Sequence, residues 1–143
     1  MRVKKSGKYL AMVMVLVLFC AFPVPVKATL TTPAEEIQIL AWENTSSILS
    51  GITFSGSTAN CSCSVNGYSG TTNVSATYEL QQKINGTFYT IKTWSASASR
   101  AYLDWSGSYS VSSGYTYRLY ITALVTRNGT TETVNSSVTA TLN

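Results

Sequence analysis

Tyr117-Arg118-Leu119-Tyr120-Ile121-Thr122-Ala123-Leu124-Val125 carries an apolar side chain at every odd position, with Arg118, Tyr120, Thr122 and Leu124 between them. Period-two alternation is the pattern of a strand with one face in a core. The run closes at Asn128-Gly129, a dipeptide that supplies the positive φ of a type I′ hairpin turn, and resumes as Val134, Val138, Ala140 and Leu142. A slip of one residue would turn Ser and Thr inward, so the alternation fixes register as well as face.

Working backward, the same period recurs. Ile48, Ile52 and Phe54 suggest a first strand. Ala59, Cys61, Cys63 and Val65 alternate with Asn60, Ser62 and Ser64 up to Asn66-Gly67. Val74, Ala76, Tyr78 and Leu80 form the next run, which stops at Asn85-Gly86 and predicts a hairpin into Phe88 to Ser95. Ala101, Leu103 and Trp105 precede Tyr109 and Val111. No amphipathic helix follows Ser46. The expected fold is all-β, an antiparallel immunoglobulin-like sandwich of about seven strands preceded by a signal-peptide helix.

The first 28 residues account for that helix. Arg2, Lys4, Lys5 and Lys8 precede an apolar run from Leu10 to Phe22, and a small-residue end follows at Ala28. This is a secretory signal peptide pattern, and the apolar run is shorter than the roughly 20 residues a membrane-spanning helix requires. Cys20 follows Phe19, where a lipidation motif would have Gly, Ala or Ser, so cleavage after Ala28 is expected. The organisation is then signal peptide over 1–28, a flexible lead-in over 29–45 and a sandwich domain over 46–143. Within the lead-in, Ile37 to Trp42 is apolar and fits a short helix, an edge strand or a segment covering one end of the fold.

Cleavage changes the charge. The 143-residue chain has ten Lys plus Arg against six Asp plus Glu, a formal +4, but Arg2, Lys4, Lys5, Lys8 and Lys27 all lie in the leader. What remains is Lys83, Lys92, Arg100, Arg118 and Arg127 against Glu35, Glu36, Glu43, Glu79, Asp104 and Glu132, a formal −1. Nucleic acid is therefore not an expected partner, because phosphate binding rests on clustered cations. Ser and Thr supply 39 residues between Thr29 and Asn143, so uncharged hydroxyls carry the solubility that Lys and Glu usually provide. No membrane anchor is expected after cleavage, and the chain ends without an apolar tail or a sortase signal.

Histidine is absent, which excludes Ser-His-Asp and Cys-His nucleophile pairs, His-ligated zinc and imidazole switches. Cys61 and Cys63 face one side of their strand and read as buried thiols. An intrachain bond between them would need a kink, because α-carbons two residues apart in a strand lie about 6.5–7 Å apart. No metal or cofactor is implied. Glycoside hydrolysis needs two carboxylates across a cleft, and Asp104 with Glu79 or Glu132 is the pair to consider, although their positions read as outward and separate. Six Asn-x-Ser/Thr sequons occur, at Asn44, Asn60, Asn73, Asn85, Asn128 and Asn135, two of them in Asn-Gly turns.

Aromatics are the stronger lead. Trp42, Trp94, Trp105, Tyr68, Tyr89, Tyr102, Tyr109, Tyr115 and Tyr120 exceed what one sandwich core can hold. Tyr102, Tyr120 and Trp105 are the candidates for ligand contact, as rings that stack on sugars or dock a protein; cross-strand sheet pairing is the structural alternative.

Gly114-Tyr115-Thr116-Tyr117-Arg118-Leu119 resembles the start of the penultimate strand of immunoglobulin-like domains. The resemblance implies a structural corner at Gly114 and Tyr117, with the Tyr117 hydroxyl bonded back to the preceding backbone. Leu119 stands where antibody domains have cysteine, so no inter-sheet disulfide is implied. Between Trp42 and Glu132 the chain also resembles an uncharacterised family of small secreted proteins of Gram-positive bacteria. The matching pieces are Cys61 with Val65-Asn66-Gly67, Gly70-Thr71-Thr72, Leu80-Gln81-Gln82-Lys83, Ile91-Lys92-Thr93-Trp94-Ser95 and the Gly114 to Leu119 corner. Cys63 departs from the small residue expected there. The resemblance implies an extracellular, fibronectin-like or immunoglobulin-like sandwich and carries no activity. The functional expectation is a secreted, non-catalytic binding or surface-interaction module whose partner is a protein or glycan at the cell surface. A secreted antimicrobial effector is the first alternative and a glycosidase-type enzyme the second.

Overall fold

The structure, a computed structural model, describes residues 42–143; the expected signal-peptide helix and the expected lead-in up to residue 41 lie outside the described residues. Seven antiparallel strands follow one another: β1 (Thr45–Ser55), β2 (Thr58–Gly67), β3 (Thr71–Ile84), β4 (Thr87–Ala98), β5 (Tyr102–Ser110), β6 (Tyr115–Arg127) and β7 (Thr130–Leu142). They form two sheets, one in the order β1-β2-β5 and one in the order β4-β3-β6-β7.

The inward residues of both sheets share one core. Ala59, Cys61, Cys63 and Val65 of β2 and Leu103 of β5 meet Val74, Ala76, Tyr78 and Leu80 of β3 and Tyr117, Leu119, Ile121, Ala123 and Val125 of β6. Fully burying such a side chain contributes about 1.5–3 kcal/mol, and β3 and β6, the central strands of the larger sheet, supply most of it. Tyr78 bridges the sheets. Its ring stacks on Trp105 with centroids 3.9 Å apart and planes 8° from parallel, and Trp105 tilts against Trp94 at 5.2 Å.

The turns follow local chemistry. Asn85 and Gly86 (φ 50° and 83°) close the β3–β4 hairpin, and Asn128 and Gly129 (φ 49° and 77°) close β6–β7, as type I′ turns require. Asn66-Gly67 is not a turn: Asn66 pairs with Ser47 and Tyr102, and the chain reverses after it, where Gly70 has φ 92°. Gly67 has another reason to be glycine, since a Cβ there would lie 2.8 Å from the Cβ of Thr71. At the opposite end the Tyr117 hydroxyl donates to the Ser112 carbonyl at 2.6 Å and accepts from the Ser112 N–H at 3.0 Å, while the Gly114 N–H bonds the Leu142 carbonyl at 2.7 Å.

The folded unit starts earlier than the expected boundary at residue 46. Glu132 accepts from the backbone N–H groups of Glu43, Asn44 and Thr45 and from the Thr45 hydroxyl at 2.8–3.0 Å. The buried Asn44 amide donates to the carbonyls of Val125 and Thr130, so the Asn44 sequon serves packing. Residues 43–45 are thereby fastened to β6 and β7.

Candidate functional site

The outer face of the four-stranded sheet holds a cluster built from three adjacent strands. On β6, Arg118 and Tyr120 lie between buried Tyr117, Leu119 and Ile121 and point away from the core. On β3, Gln81 pairs with Arg118 and Glu79 with Tyr120. On β4, Thr90 pairs with Gln81 and Phe88 with Lys83.

Phe88 reaches this face because of a bulge. The register of β3 against β4 shifts between Leu80 and Gln81, with Lys92 opposite the first and Thr90 opposite the second, so Ile91 is the extra residue. Even-numbered residues of β4 point outward before it, as Phe88 and Thr90 do, and inward after it, as Trp94 does. A bulge re-aims every side chain beyond it.

The guanidinium carbon of Arg118 lies 4.0 Å from the Phe88 ring centroid and 5.7 Å from that of Tyr120, and the Lys83 ammonium is 5.7 Å from Phe88. A polar relay fixes it. Arg118 Nε donates to Gln81 Oε1 at 2.7 Å, Gln81 Nε2 donates to Thr90 Oγ1 at 3.3 Å, and Thr90 Oγ1 donates to Glu79 Oε1 at 3.2 Å. Arg118 spends only Nε in this relay, which leaves its two Nη groups without a protein acceptor among the described residues. Rings, amide, hydroxyl and guanidinium are thus presented together at a fixed register on an otherwise Ser- and Thr-rich sheet.

Stacking of cations on rings is general in this domain. Lys83 lies over Phe88, Lys92 over Trp94 and Tyr109, Arg100 over Tyr102, Arg118 over Phe88 and Tyr120, and Arg127 over Tyr68. Each such contact contributes about 0.5–1 kcal/mol at an exposed site.

The three candidate aromatics are not brought to one surface. Tyr120 belongs to the cluster. Tyr102 lies on the outer face of the other sheet, 44% exposed and under Arg100 at 4.1 Å. Trp105 points between the sheets, where Tyr78 and Trp94 occupy its faces, so it acts as a packing residue. Its shared parity with buried Leu103 was the available signal. Phe88 and Gln81 were missed because the bulge that aligns them leaves only a change of apolar parity in β4, from Trp94 and Ala96 to Ile91.

Cys61 and Cys63 are free and buried. Burial pushes the Cys61 thiol up to about 11; burial, aided by the Asp104 carboxylate, pushes Cys63 up to about 12. The carboxylates stand apart. Glu79 ends the relay, Asp104 accepts from Ser64 at 2.5 Å on the opposite sheet, and Glu132 clamps residues 43–45. Burial alone would raise the Glu132 carboxyl, but the hydrogen bonds from Glu43, Asn44 and Thr45 outweigh it and hold the group below its usual range. Among the described residues no group of three His, Cys, Asp or Glu side chains forms a metal-binding set. No family model, curated protein or solved structure matches the chain.

Proposed function

We propose that this protein is a secreted, non-catalytic binding module with an immunoglobulin-like sandwich, related to small secreted proteins of Gram-positive bacteria, and that it holds a cell-surface glycan on the outer face of its four-stranded sheet. One observation carries the reading: Arg118 is fixed between Phe88 and Tyr120 by a relay through Gln81, Thr90 and Glu79. Aromatic rings give a sugar ring an apolar surface to lie on, while guanidinium, amide and carboxylate groups at their edge bond its hydroxyls.

The strand order β1-β2-β5 against β4-β3-β6-β7 and the Tyr117–Ser112 bonds support the immunoglobulin-like assignment. The loops favour a sheet face over a loop-built site. Those at the Tyr68–Gly70 end are short and stitched down, with Arg127 Nε on the Ser69 carbonyl at 2.8 Å and the Gly67 N–H on the Ala101 carbonyl at 2.7 Å. The absence of histidine and the separation of Glu79, Asp104 and Glu132 support a non-catalytic role.

Amide chemical-shift mapping of the chain from Thr29 onward with soluble wall glycans tests this. Perturbations centred on Gln81, Phe88, Arg118 and Tyr120, with binding weakened about tenfold or more in Arg118→Ala, are expected for a hot-spot residue. Perturbation centred on Tyr102 and Asp104, or none with any glycan, overturns it.

A further inference from the structure

Among the described residues, Lys83 and Arg118 are the cations that share a ring. The Arg118 guanidinium carbon lies 4.0 Å from the Phe88 centroid and the Lys83 ammonium 5.7 Å from it. Lys83 is exposed and stands opposite Phe88 in the β3–β4 ladder, while Arg118 pairs with Thr139 of β7. Like charges gathered on one ring repel each other unless a counter-ion lies close by. The described carboxylates are committed elsewhere. Glu79 accepts from Thr90, Asp104 accepts from Ser64 on the opposite sheet, and Glu132 holds residues 43–45, Glu43 among them, toward the far end of β7.

The free part of Arg118 is its Nη edge. Gln81 holds Nε at 2.7 Å and one face of the guanidinium lies toward Phe88, so the side chain is oriented before any ligand arrives. The edge that remains is a planar pair of donors, the shape that bonds two oxygens of a carboxylate or phosphate at once. Lys83 adds a point charge from the neighbouring strand, and the exposed Thr139 beside Arg118 adds a hydroxyl. We infer that the glycan held on this face is an acidic one, whose carboxylate or phosphodiester groups are taken by Arg118 and Lys83 while a sugar ring lies on Tyr120. This ligand class presupposes the glycan site proposed above. The chain from Thr29 onward is formally −1, but salt limits the reach of exposed charges to about 8–10 Å, so the local pair decides the sign.

Isothermal titration calorimetry on the chain from Thr29 to Asn143 tests the charge with matched probes: oligogalacturonate against its neutral methyl ester, and phosphodiester-linked oligomannose against plain oligomannose. The acidic member of at least one pair is expected to bind about tenfold tighter than its neutral counterpart, and the pair that responds tells carboxylate from phosphate. That preference should shrink as NaCl rises from about 50 to about 500 mM. Lys83→Gln, at an exposed position outside the Gln81–Thr90–Glu79 relay, should weaken the acidic probe about fivefold and leave the neutral one unchanged. Arg100→Gln removes the same charge near Tyr102 of the other sheet and should alter neither. Neutral probes that bind the cluster as tightly as acidic ones overturn the acidic class and leave the glycan site standing; no binding by any probe overturns both. An acidic preference that survives Lys83→Gln, or falls equally in Arg100→Gln, overturns the assignment to Arg118 and Lys83.

Discussion

Glu132 holds Thr45 twice through one oxygen: Oε2 accepts from the Thr45 N–H and from its hydroxyl, each at 3.0 Å, across 87 positions of sequence. The other bonds of this carboxylate reach Glu43 and Asn44, so β7 anchors the start of β1 from the opposite sheet. Glu132→Gln keeps the shape but turns an amide donor toward donors, and urea unfolding should show a loss of about 1–3 kcal/mol.

The same clamp sets an acid limit. Its folded carboxyl lies below the unfolded value of about 4.3, so the stabilisation is complete at neutral pH and is lost as pH falls through the folded value. Wild type should lose stability below about pH 4.3, and the part of that loss due to Glu132 should vanish in Glu132→Gln, as read by unfolding midpoints across an acid series.

Tyr117→Phe removes a hydroxyl that both donates to and accepts from Ser112 while leaving the buried ring in place. A stability loss of about 1–3 kcal/mol is expected, with faster hydrogen exchange confined to residues 111–114. Uniformly faster exchange across both sheets would instead mean that the corner organises the whole fold.

Gly107 lies beneath the indole of Trp105, and an added Cβ would stand 2.6 Å from Trp105 Cζ2 and 3.2 Å from Trp94 Cε2. The indole cannot retreat freely, because Tyr78 stacks on it. Gly107→Ala should cost about 1–3 kcal/mol and shift tryptophan emission to the red, whereas Gly56→Ala meets no atom within 4 Å and should leave the spectrum unchanged.

Cys61 and Cys63 should be inert to a thiol reagent in the native protein at pH 8 and react fully in denaturant, since both are buried with thiols raised to about 11 and 12. Raised values also mean that folded stability falls as pH climbs past the unfolded thiol value of about 8.5, where only the unfolded chain ionises. Cys61→Ala/Cys63→Ala should flatten that alkaline decline.

The strands, their faces and two of the hairpins were legible in the chain, because alternation and Asn-Gly chemistry are local. Cys61, Cys63, Tyr78, Tyr117 and Leu119 all lie on the face their parity indicates. Alternation carries no record of which strand lies alongside, so it could not divide the seven strands between the two sheets. Nor could it announce the bulge at Ile91. Trp105 shows the same limit from the other side: its parity marked an inward residue, yet its stack on Tyr78 depends on two strands from different sheets.

The sequence by itself determined an all-β domain with a hydroxyl-rich surface and no histidine, since those follow from composition and period. Tertiary structure alone decided that Phe88 meets Arg118 and that Glu132 clamps Thr45. Contacts between residues 30 and 87 positions apart arise from sheet order and register, which are set by long-range pairing and core packing.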